Sequence, residues 1–91
     1  MERARMEEIK RLGGKLEALE EVLKMLDERC CELFDEIYHY DNMYLQARRE
    51  GDIESAKDYE EQANKKLAIK RELTTLMVRF ELEIEDVKGE M

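Results

Sequence analysis

The chain has no proline and no tryptophan, only four glycines (13, 14, 51 and 89), one histidine, and two cysteines that are adjacent. Without proline, only glycine can interrupt a helix through its own backbone chemistry. No segment alternates apolar and polar residues with β-branched enrichment, so strands are not expected. No apolar run approaches the ~20 residues of a membrane span, and Met1–Arg11 lacks the hydrophobic region of a signal peptide. Cys30 and Cys31 point about 100° apart if helical, too far to bridge without distortion, and read as free thiols of a reducing compartment. Also missing are a Gly-rich phosphate loop, a serine triad, paired zinc cysteines and an EF-hand loop. A cytoplasmic or virion-interior setting fits these absences.

Charge, by contrast, is abundant. Charged residues make up 44% of the 91 positions, with 24 Asp plus Glu against 16 Lys plus Arg, for a net charge of −8. That balance opposes phosphate backbones and anionic lipid, so neither nucleic acid nor a membrane is an expected partner.

Against this background one stripe carries no charge at all. Ile9, Leu12, Leu16, Leu19, Leu23, Leu26, Cys30, Leu33, Ile37, Tyr40, Tyr44 and Ala47 follow one another at alternating steps of three and four. A 3.5-residue period keeps one seam of a helix against another helix. Gly51-Asp52 then punctuates the chain: glycine suits the left-handed position that ends a helix, and Asp52 can cap the next one through the amide of residue 54 or 55. Beyond it the apolar phase changes to Ile53, Ala56, Tyr59, Ala63, Leu67 or Ile69, Leu73, Leu76 or Met77, Phe80, Ile84 and Val87. A phase break at a glycine favours a turn over one continuous parallel rod.

The expected fold is therefore all-α, a single antiparallel hairpin spanning 1–91. Helix A covers 15–50, helix B covers 52–88, and 1–14 is an overhang or a short helix hinged at Gly13-Gly14. Residue i should lie near residue 103 − i, which pairs two rods of about 54 Å each. Lys65, Lys66, Lys70 and Arg71 should face Glu28, Glu32, Asp35 and Glu36, and Lys15 and Arg11 should face Asp86 and Glu90. Exposed pairs of this kind contribute about 0–1 kcal/mol each and select register more than they stabilise. Val22, Phe34 and Met43 on helix A, and Met77, Leu82 and Ile84 on helix B, widen the apolar face beyond a two-stranded seam. Such a width implies that hairpins pair, most simply as a dimer forming a four-helix bundle.

Chemistry is sparse. Glu36 and His39 have the Glu-x-x-His spacing of di-iron bundles, which would place a ferritin-like site at a dimer interface. Ile37 and Tyr40 hold the core positions, however, leaving Glu36 at the seam's edge and His39 outside it, so no metal or other cofactor is expected. Leu16–Leu33 is superficially similar to the first helix of all-helical chorismate mutases, but Gly13 and Cys30 stand where that family has its arginines. Met43–Leu67, with Ala47, Gly51-Asp52-Ile53-Glu54, Ala56 and Leu67, resembles the UVR helical hairpin. That resemblance implies a tight hairpin in a protein-binding role, although Ile53 replaces the family's phenylalanine.

Enzymatic activity is not expected. The seam residues Leu16, Leu19, Leu23, Leu26, Cys30, Leu33 and Ile37 should pack on Leu73, Leu76, Phe80, Ile84 and Val87, in the same chain and in a second copy. Tyr38, Tyr44 and Tyr59, near the turn, offer a partner surface, because tyrosine is favoured at interfaces. The expected role is protein–protein interaction and oligomerisation, with the chain itself as partner. A small acidic inhibitor or adaptor docking on a basic protein surface is the alternative.

Overall fold

Two helices and a tight turn make up the whole of residues 2–91, the part that the computed structural model describes. Helix α1 runs Glu2–Arg49 and α2 runs Ile53–Glu90. Met1, the first residue of the expected N-terminal extension, lies outside the described residues. The 48 residues of α1 span about 72 Å at 1.5 Å each, which accounts for extents of 74 × 14 × 13 Å.

The turn closes through backbone chemistry. The Asp52 amide donates to the Ala47 carbonyl at 2.9 Å, and the Gly51 amide donates to Arg48 at 3.2 Å. This crossed pair is a Schellman motif, which needs a left-handed residue where Gly51 stands. Gly51 has φ 77°, and no other described residue has a positive φ. Asp52 then opens α2: its Oδ1 accepts from the Ser55 amide at 3.1 Å, and its carbonyl accepts from Ala56 at 3.0 Å. One residue thus closes one helix and caps the next, leaving three residues between them.

The pairing follows the expected register. Leu12, Leu19, Ile84 and Val87 form a buried cluster with Leu16, Leu23 and Phe80 packed against it. Nearer the turn the buried seam residues are small: Ala47, Ala56 and Ala63. Leu33 is fully buried at the middle.

Gly13-Gly14 does not act as a hinge. Residues 2–11 continue α1 as an exposed helical overhang, and helix A begins at Glu2 rather than at 15. A glycine pair raises the local cost of helix by about 1 kcal/mol each, but Leu12, buried beside it, clamps the helix to α2. Helix B extends to Glu90 and starts at Ile53, with Asp52 outside as its cap.

The glycines should therefore respond with opposite signs. Gly13→Ala and Gly14→Ala, whose new methyls meet nothing within 4 Å, should each stabilise by about 0.8–1 kcal/mol. Gly51→Ala should destabilise by about 1–2 kcal/mol, because the left-handed conformation strains an L side chain. Urea unfolding followed by circular dichroism reads both changes.

Candidate functional site

Along α2 the three-four spacing runs Tyr59, Ala63, Lys66, Lys70, Leu73, Met77, Phe80, Ile84, Val87, with two lysines in its centre. Lys66 and Lys70 are both half-buried. Their ammonium groups leave toward different α1 residues, Glu36 and Tyr40 for Lys66 and Phe34 for Lys70. The Lys66 Nζ donates to Glu36 Oε2 at 3.3 Å and lies 5.9 Å from the centre of the Tyr40 ring. Lys70 turns the other way, 5.3 Å from the centre of the Phe34 ring. Arg29 lies 3.8 Å from Glu36 Oε1 and donates to Glu32 at 2.9 Å, completing an ionic strip on the Lys66 side.

This layer corrects the expected charge pattern. Among the described residues, Lys66–Glu36 is the only ion pair that joins the helices. Lys65 pairs with Glu61 on its own helix at 3.6 Å, and Arg11 pairs with Glu8 at 4.0 Å rather than reaching α2. The reason is position, since the lysines expected beside the seam occupy it. An uncharged stripe on α1 was legible, whereas two lysines in the opposing stripe look like ordinary surface charge until the register is known.

Several seam residues take different places from those expected. Leu16, Leu23, Leu26, Ile37, Leu73 and Phe80 are half-buried, and Leu19, Cys30, Ile84 and Val87 are buried. Leu76 is not in the seam. It is exposed, and Met77 takes the position, accepting a 3.7 Å hydrogen bond from the buried Cys30 thiol at Sδ. Met77 continues the three-four steps through Leu73 and Phe80; Leu76 falls one residue early and so turns outward. Ile69, one residue before Lys70, is exposed for the same reason; Ile53, the first residue of α2, is exposed beside the turn, and Leu67 is half-buried. Ile9 is exposed because α2 ends before reaching it.

The aromatic group divides. Tyr40 and Tyr59 have ring centroids 6.4 Å apart across the two helices, so Tyr59 is part of the packing. Tyr44 is half-buried. Its hydroxyl accepts from Arg48 Nη1 at 2.9 Å, which holds the guanidinium pKa above its ordinary value. With Arg48, Ile53, Ala56, Lys57 and Glu60 it lines a shallow cleft of about 250 Å³. Tyr38 points into solvent, 64% exposed. A longer, open cleft on the same flank is walled by Asp27, Cys31, Phe34 and Lys70.

Glu36 and His39 do not converge. The carboxylate is occupied by Lys66 and Arg29, whereas the exposed His39 ring sits edge-on to Tyr40 with centroids 5.7 Å apart. Among the described residues, no three His, Cys, Asp or Glu side chains gather as metal ligands would. No described helix is long and apolar enough to cross a membrane. No family model, curated protein or solved structure matches the chain.

Asp52 gives the turn a pH dependence. The Ser55 hydrogen bonds hold its carboxyl below the ordinary carboxylate value. A lowered folded-state pKa contributes stability above the unfolded value of about 3.9 and loses it as pH falls through the folded value. Asp52→Asn, which keeps an acceptor for Ser55 without titrating, should therefore lose less melting temperature than the parent between neutral and acidic pH. Thermal melts at matched ionic strength measure the difference.

Proposed function

We propose that this chain is a non-catalytic oligomerisation module, a helical hairpin that pairs with a second copy to form a four-helix bundle. The observation carrying this reading is the imbalance of apolar surface. Among the described residues, thirteen large hydrophobic side chains are exposed and nine hydrophobic residues are buried. The accessible surface is 7452 Å², whereas a compact monomer of 10.9 kDa exposes about 5,600 Å². A pair of helices buries one stripe on each and nothing more. Isolated apolar side chains are common on surfaces, but concentrations of them mark association sites.

The UVR-like segment 43–67 supports a protein-binding role through its turn chemistry alone: Gly51 and Asp52 make a tight reversal, with Ala47 and Ala56 buried at its base. The second reading, an acidic adaptor docking on a basic surface, is favoured by one feature. Between Leu16 and Ala47, α1 carries nine carboxylates against Lys24 and Arg29 alone. A cationic partner released by raised salt would then dominate a pull-down.

Light scattering after size exclusion decides between them. The parent chain should run as a dimer over a dilution series, and Leu26→Asp, which places an unpaired charge in the seam, should lose the dimer. A concentration-independent monomer would refute self-association.

A further inference from the structure

Four residues of α1 each follow a seam residue by one position: Cys31 after Cys30, Phe34 after Leu33, Tyr38 after Ile37 and Leu45 after Tyr44. One residue is about 100° of helix rotation, so this second stripe lies nearly at a right angle to the first. It keeps the spacing of the seam over a shorter length, with steps of three, four and seven; Asp41 fills the position passed over by the last step, and all four apolar residues are exposed. A helix with two three-four stripes a right angle apart has the geometry of a corner in a square four-helix bundle. The opposite flank also bears apolar residues, Val22, Met25, Ile69 and Leu76. There, however, three ionised groups, Arg29, Glu36 and Lys66, cross the middle, and burying them would strand desolvated charge; on the Cys31–Leu45 side the charges at that level are Lys70, beside the Phe34 ring, and Asp41.

Resting on the self-association reading, we infer that the second copy docks on the Cys31–Leu45 stripe of α1, running antiparallel about a two-fold axis beside residues 39 and 40. Charge complementarity selects the direction. The outer edge of the stripe is acidic in its first half, at Glu28 and Asp35, and basic at its end, at Arg49. Parallel copies oppose Glu28 to Glu28 and Arg49 to Arg49. Antiparallel copies with residue i near residue 79 − i set Glu28 level with Gly51 of the second copy, two residues (about 3 Å of helix) from Arg49, and this proximity occurs twice over. The same register stacks Phe34 on Leu45 and sets the Tyr38 hydroxyl beside Asp41 of the second copy. Cys31 falls near Arg48 of the second copy. The corresponding row on α2 holds Leu67 and Val78 among polar residues, so the join runs along α1.

Cross-linking tests the register with the native thiol. Arg48→Cys, oxidised with diamide, should give a covalent dimer in which Cys31 of one copy is joined to the thiol introduced at position 48 of the other. Val22→Cys, on the opposite flank, should give none between position 22 and Cys31. Phe34→Glu, at an exposed site, should keep the parent helicity and weaken the dimer at least tenfold, and Leu76→Glu should leave it unchanged. A Cys31–Cys31 bridge in the parent chain, or a dimer that survives Phe34→Glu and yields no 31–48 bridge, would overturn the antiparallel face and leave self-association standing. Absence of any dimer in the parent would instead remove the reading on which the inference rests.

Discussion

Everything in this molecule depends on the contact between α1 and α2 along a single seam. A lone helix of this length cannot hide its apolar stripe, and a hairpin has one neighbour with which to do so. The seam is uneven along its length. Toward the open end it is built of leucine, isoleucine, valine and phenylalanine; near the turn its buried residues are alanines 47, 56 and 63. Between them Lys66 and Lys70 replace apolar residues. Charged side chains at seam positions cost stability and help to specify register. Lys66 escapes toward Glu36 and Tyr40, Lys70 toward Phe34.

That layer also makes the two flanks chemically different. On the Lys66 flank, Arg29 and Glu36 occupy the space that a docking helix would need. On the Lys70 flank lie two separate clefts, one walled by Cys31 and Phe34 and the other by Tyr44 and Ile53. An interaction that organises the interior of the hairpin therefore also sets the charge of its two outer flanks. The exposed ion pairs elsewhere, such as Lys65–Glu61 and Arg11–Glu8, lie within single helices and carry no such information.

The all-α hairpin, its turn at Gly51-Asp52 and the 103 − i register were legible because each rests on local chemistry or strict periodicity. The absence of proline, an uncharged three-four stripe and a glycine–aspartate pair leave few alternatives. Leu76 against Met77 was not decidable in that way, since both lie within one residue of the stripe and are equally apolar. Gly13-Gly14 was also ambiguous: propensity alone suggests a weak point, and only the burial of Leu12 on Val87 and its neighbours holds the helix through it.

The sequence by itself determined the helices, their reversal and their relative direction, since period, capping and left-handed backbone geometry are properties of short segments. Only the tertiary structure decided which lysines enter the seam, that Glu36 faces Lys66 and Arg29, and that Cys30 rests against Met77 while Cys31 faces out. Those outcomes depend on the rotation of one helix against the other, and a change of one residue in register moves a side chain about 100° around its axis.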